Sequence, residues 1–336
     1  MKNKNSIKII RPDDWHVHLR EGLMMEAIIK SSSRVNNRCI VMPNLEVPIT
    51  TTHQGLDYKN KIQSLINNNL FTPLLPCYLT ENLDLEDLKL GLKKNIFIGA
   101  KLYPSNVTTN SSFGVTDIEK IYPIFEILQS YKKHLLIHGE KIRDDIDIFD
   151  REKIFIDEEL VKIRNRFPDL KIILEHVSSK YGADFVNENN NIAGTITPQH
   201  LMLTKKDIYI NKLINPYHYC MPVVKDEADL LALRKYVCSG NPKFFLGTDS
   251  APHHINFKNQ GADSKPGIFS SPCSIELYAN IFYEENSLQN LEKFSSINGP
   301  NFYNLPINSN YIELINEPWV LSEFTIKGDI KVKNFM

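Results

Sequence analysis

The chain has 336 residues, 42% hydrophobic and 24% charged, with a formal net charge of −1. This length suits one large domain, such as an α/β barrel, or two ordinary ones, and the composition allows a sizeable core. The near-zero charge offers no broad cationic field to nucleic acid or anionic membrane, and no apolar run is long enough for a membrane span.

The start "MKNKNS" is basic, but no signal-type apolar region follows it. Asn-rich pieces such as "NNNL" and "NENNNI" read as compositional bias of the source genome. The five cysteines, Cys39, Cys77, Cys220, Cys238 and Cys273, are odd in number and contain no C-x-x-C pair. They are expected to be reduced, mostly buried thiols in a cytoplasmic protein.

In chain order the strand-like runs are "IKIIRPDDWHVH", "RCIVMP", "TPLLPCYL", "IFIGAKLY", "HLLIHG", "KIILEHV", "IAGTITP" and "KFFLGTD". Most are continuous apolar runs, as in strands buried on both faces. Helix-like segments lie between them. "DIEKIYPIFEILQSYKK" repeats Ile118, Ile121, Phe125 and Leu128 at helical spacing. "DEELVKIRNRFPDL" opens with acids and stops before Pro168, and "KDEADLLALRKYVCSGNP" ends at Gly240 and Pro242. After the eighth run come the helix "CSIELYANIFYEEN" and a tail, "PWVLSEFTIKGDIKVKNFM", that reads as an appended strand or hairpin. Eight strands alternating with helices predict a (β/α)8 TIM barrel. It forms a single domain over residues 1–336, with a C-terminal extension from about residue 306. No G-x-G-x-x-G or Walker lysine motif supports the alternative, a nucleotide-binding open sheet.

The polar residues fall at the ends of these runs. His16 and His18 follow the first, Lys101 the fourth, His138 the fifth, His176 the sixth and Asp249 the eighth. In a parallel barrel they meet at the C-terminal rim, where barrel enzymes keep their active sites. Four histidines, a lysine and an aspartate there form a metal-site constellation. Alternation along a strand would put His16, His18 and Arg20 on one face, with Arg20 free to pair with a substrate carboxylate or, failing that, with Asp13 or Asp14. His134 precedes its apolar run and belongs to the opposite rim; His53, His200 and His218 read as structural, as does Trp15. Lys101 has two readings. It is a cation paired with a nearby acid, or it is a neutral amine that has reacted with CO2. In the second case the carbamate bridges two metal ions, one held by His16, His18 and Asp249 and the other by His138 and His176.

With these residues in view the chain resembles the amidohydrolase superfamily and, more closely, the dihydroorotases of the shorter bacterial type. The resemblance rests on "PDDWHVHLREG", "VMPNL", "GAKLYPSNVTTNSSFGV", "LLIHGE", "ILEHVSSK", "TITPQHLM", "YCMP", "LGTDSAPHH" and "NGPNFYNLP", spanning about residues 11 to 305. It implies reversible hydrolysis of dihydroorotate to N-carbamoyl-L-aspartate in pyrimidine synthesis. It also implies two Zn2+ ions on His16, His18, carboxylated Lys101, His138, His176 and Asp249. Arg20, Asn44 and His253 then resemble the groups that hold the substrate carboxylate. Thr108 and Thr109 resemble the tip of a mobile loop that closes over the ligand, and Met221 sits where the family uses backbone atoms to bind the ring. A homodimer is implied as well. One departure stands out: "HINFKNQGADSKP" after His253 replaces an often cysteine-rich stretch. It puts Pro266, which has no N–H, at a backbone-contact position, so one ring contact is lost or supplied by a neighbour.

On this reading a hydroxide held between the metals attacks the ring amide carbonyl, and Asp249 serves as general base and then general acid. Competing readings are an amidohydrolase for another cyclic amide, such as a hydantoin, and a catalytically dead assembly partner. The second should have lost ligands, and every one is present.

Overall fold

The computed structural model describes residues 5–66, 70–210 and 213–336; the Asn-rich run at 67–69 and most of the basic start lie outside them. Among the described residues there are fourteen strands: β1 (Ser6–Ile10), β2 (Asp13–Val17), β3 (Arg38–Val41), β4 (Thr72–Tyr78), β5 (Phe97–Leu102), β6 (His134–His138), β7 (Lys171–Glu175), β8 (Ile192–Ile196), β9 (Tyr209–Ile210), β10 (Leu213–Ile214), β11 (Phe244–Leu246), β12 (Tyr311–Ile315), β13 (Phe324–Lys327) and β14 (Ile330–Lys333). Eight of them make one parallel sheet in the order β11-β8-β7-β6-β5-β4-β3-β2. Helices connect neighbours, the crossover that parallel strands require. The ring closes just past β11. There Asp249 N–H donates to His16 O at 2.9 Å and His18 N–H to Ser250 O at 3.0 Å. The barrel expected from the sequence is the barrel observed.

Side chains alternate in and out along each strand, as the pleat demands. Leu135, Ile137, Ile172, Leu174, Ala100 and Leu102 face the helices and join the main core. Ile40, Leu136, Ile173, Ala193 and Phe245 fill the barrel interior with Trp15 and Tyr303. Trp15 stacks on Tyr303 at 4.5 Å between ring centroids, so it is packing, as its sequence context suggested. Gly299 leaves room for this plug: a Cβ there would lie 2.0 Å from Trp15 Nε1.

Three details depart from expectation. The first run is two strands. Pro12 lacks an N–H for a ladder, so the chain breaks there. β1 pairs antiparallel with β12, apart from the barrel sheet, and only β2 enters the barrel. The helix expected from residue 157 starts earlier, at Arg151 after Asp150, and runs through a π-turn at Ile156–Leu160 to Arg166. The segment 104–116, which its length and small polar residues make read as a loop without regular structure, is stitched by Ser105 N–H to Val115 O and Asn106 N–H to Ser111 O, both at 3.0 Å. The tail forms the β13–β14 hairpin, turning at Gly328 with φ +54°. No described helix is long and apolar enough to cross a membrane.

Candidate metal centre and active site

The barrel's inward alternation places His16 and His18 together while Val17 and Leu19 face the helices. A register shift between Asp14 and Val17 lets Trp15 point inward as well. His16 Nε2 lies 3.4 Å from His18 Nε2, and Asp249 Oδ1 lies 3.3 Å and 3.1 Å from them. Strand β2 ends at Val17, so Arg20 does not reach the site by strand alternation. It arrives from the following loop at φ +57°. It pairs with neither Asp13 nor Asp14: Asp13 is taken by Arg38 at 2.6 Å, and Asp14 accepts from Thr248. His176 and Asp249 also have positive φ, 44° and 47°. Non-glycine residues in that region cost backbone energy, and such strain clusters at functional sites.

The inward position at the end of β7 is Glu175, two residues after Ile173, and not His176. Glu175 is fully buried and faces two site residues. Its Oε1 lies 3.1 Å from His16 Nδ1, and its Oε2 contacts Lys101 Nζ. The period of two in "KIILEHV" was the signal that could have found it. Glu140, two residues past His138, was missed in the same way; its Oε2 lies 2.7 Å from His138 Nε2. Glu140 takes His138 Nε2, leaving Nδ1 as that ring's lone-pair nitrogen, whereas Glu175 lies beside His16 Nδ1 without a hydrogen bond to it. His138 and His176 face each other with ring centroids 4.5 Å apart.

Burial holds the imidazoles of His16 and His176 well below their ordinary value, reinforced by neighbouring cations and imidazoles. His18 is lowered by burial too, with Asp249 opposing. The Lys101 amine, fully buried, is pushed well below the usual lysine range, against the pull of Asp249. Burial thus favours the uncharged form of each of these groups.

The donor set fits a metal ion. Two nitrogens on one tetrahedral zinc, each at about 2.05 Å, are separated by about 3.3 Å, close to the observed His16–His18 spacing. His16, His18 and Asp249 form one cluster of candidate ligand atoms, and His16, Glu175 and His176 form a second. His176 Nδ1 is buried with no hydrogen-bond partner.

Above the cluster opens a small cavity of about 20 Å3. His16, His18, His138, His176 and Asp249 form its floor, and Arg20, Asn44, Thr108, Thr109, Met221 and Pro266 its walls. Lys101 lies beneath the floor. Arg20 Nε donates to Pro252 O at 3.0 Å, and its Nη2 lies 3.1 Å from His253 Nε2. Asn44 Nδ2 donates to Thr109 O at 2.9 Å, which docks the loop tip at the cavity mouth. Beside Pro266, the Gly267 and Lys265 N–H groups are spent on Tyr219 O and Phe257 O. Two other histidines are buried in hydrogen bonds away from the cavity: His134 sits at the start of β6, 3.2 Å from Phe302 O, and His200 lies between Thr197 Oγ1 and Pro222 O. All five cysteines are free and buried.

A parallel eight-stranded barrel with histidines, a lysine and an aspartate gathered at its C-terminal rim is the architecture of the amidohydrolase superfamily. No family model matches the chain. Individual relatives do. The chain is 46% identical to a dihydroorotase of Aliivibrio fischeri over 325 residues, 96% of this chain and 94% of that one. Among solved structures it is similar to a dihydroorotase from Saccharomyces cerevisiae in complex with 5-fluoroorotic acid, with a TM-score of 0.91 and 34% identity over 98% of this chain and 95% of that one. It is equally similar in fold to the Campylobacter jejuni dihydroorotase, with a TM-score of 0.91 and 32% identity over 100% and 96%. The chain belongs to the dihydroorotase family.

Proposed function

We propose that this protein is a zinc-dependent cyclic amidohydrolase that interconverts dihydroorotate and N-carbamoyl-L-aspartate in the cytoplasm, as a step of pyrimidine synthesis. The observation that carries the reading is the convergence of His16 Nε2, His18 Nε2 and Asp249 Oδ1 within 3.4 Å of one another, on the floor of a cavity whose wall holds Arg20.

Two divalent ions would be held by His16, His18, His138, His176, Asp249 and a carboxylated Lys101, and when bound they supply a nucleophilic water at neutral pH and polarise the ring carbonyl. Burial favours the neutral amine of Lys101, the form that reacts with CO2. Arg20 offers a planar fork to the substrate carboxylate, helped by Asn44 and His253. Asp249 takes the proton of the attacking water and returns it to the leaving ring nitrogen. Met221 and Pro266 border the ring, and Thr108 and Thr109 exclude water from above. Pro266 has no N–H and its neighbours' N–H groups are committed, so the ring is held with one backbone donor fewer.

The test is turnover of dihydroorotate beside a hydantoin, a cyclic amide without the carboxylate. Dihydroorotate should be the far better substrate; preference for the hydantoin would overturn the reading. With Asp249 as base in one direction and acid in the other, hydrolysis should rise with pH while ring closure falls. Parallel pH profiles for the two directions would remove Asp249 from that role.

A further inference from the structure

We propose that Lys258 is a positioning residue for the substrate pocket: its buried ammonium clamps the carbonyls of Lys265 and Gly267 to that of Tyr219 and so sets the wall that borders the ring. The inference rests on the dihydroorotase reading for the identity of the ring.

Lys258 ends the short helix Ile255–Lys258, within the stretch where the chain departs from the family pattern. Its side chain is 3% exposed, yet it makes no ion pair among the described residues. Its Nζ donates instead to Gly267 O at 2.6 Å and Lys265 O at 2.9 Å, with Tyr219 O at a longer 3.5 Å. Burial lowers this amine to about 7, with the Cys220 thiol opposing. A lysine held that way must be tied to its site, because an unpaired buried ammonium is costly.

The carbonyls at 265, 266 and 267 are all engaged. The outer two meet Lys258, and Pro266 O lies 3.0 Å from His253 Nε2. Lys258 therefore sets where Pro266 presents its carbonyl, and with it the position of His253. Gly267 is suited to this bend, with φ +145° and space for a Cβ only 2.5 Å from Ala251 O. A second cavity of about 210 Å3 lies beside the wall, lined by Lys258, Gly267, Ile268 and Phe335. The wall thus lacks close packing on that side, and the polar tie holds it.

The experiment compares wild type with Lys258→Met and Lys258→Gln, reading steady-state constants for dihydroorotate, metal content, and hydrogen–deuterium exchange over residues 265–269. In Lys258→Met, KM should rise about tenfold with kcat within about twofold, the size expected for loss of hydrogen bonds from a charged donor. Exchange at 265–269 should quicken about tenfold or more, while metal content and barrel exchange stay unchanged. Lys258→Gln, which keeps a donor, should fall between, and it serves alone if the methionine variant does not fold. Unchanged exchange at 265–269, or faster exchange with an unchanged KM, would overturn the clamp. If wild type fails to turn over dihydroorotate, the dihydroorotase reading falls, while exchange still decides the clamp.

Discussion

Arg20 reaches Pro252 O through Nε and His253 through Nη2, two contacts that a single ammonium cannot reproduce together. Arg20→Lys should therefore raise KM about tenfold with little change in kcat, the pattern of lost uniform binding. An equal fall in kcat and kcat/KM would place Arg20 in the transition state instead. At the opposite rim His134 is buried against Phe302 and Tyr303, and burial holds it down to about 4 from an ordinary 6.5. Between those values the unfolded chain binds the extra proton. Its contribution is thus complete above pH 6.5 and is lost as pH falls toward 4, at up to about 1.4 kcal/mol per pH unit. Urea denaturation of wild type and His134→Gln should show the variant's pH dependence shallower by that amount; parallel curves would mean His134 titrates normally. The ligand-type residues were legible because each follows an apolar run. Glu175 and Glu140 were not, because a carboxylate beside a histidine looks like ordinary surface charge until the alternation from Ile173 turns Glu175 inward.

The barrel strands were readable because burial on both faces leaves continuous apolar runs, and β3 through β8 and β11 fall where those runs lie. The split of the first run was less visible. Only Pro12 marks it, and the antiparallel partner of β1 is some three hundred residues away, at Tyr311–Ile315. Arg20 lines the cavity, though not by the strand alternation its spacing suggested, since the strand stops before it and a left-handed turn does the aiming. In sequence the loop 104–116 reads as a passive surface loop or as a lid; Ser111 Oγ accepts from Thr108 N–H at 2.9 Å and donates to Thr108 O at 2.6 Å, which shapes the tip. Ser111→Ala removes that tie without touching the cavity. It should speed amide exchange over residues 106–111 and raise KM several-fold, with metal content unchanged; unaltered exchange would show that the tip is held by Asn44 alone.

At the scale of the whole molecule, the rim holds buried imidazoles whose nitrogens face one another and whose burial disfavours their own protonation, an arrangement that favours a bound cation over its absence. Chelation should therefore lower the melting temperature, and restored metal should raise it again, because a ligand that binds only the native state stabilises it. We also propose a homodimer, for which light scattering should return twice the chain mass. The central claim is a pair of metal ions bridged through Lys101 in a dihydroorotase site. Its most direct test is metal content and turnover of both dihydroorotate and N-carbamoyl-L-aspartate, measured on the same samples of wild type and Lys101→Ala. The account predicts about two zinc ions per wild-type chain with turnover of both compounds, and loss of both metal and activity in the variant. A wild type that holds metal but acts on neither compound, or a variant that keeps metal and full activity, would contradict it.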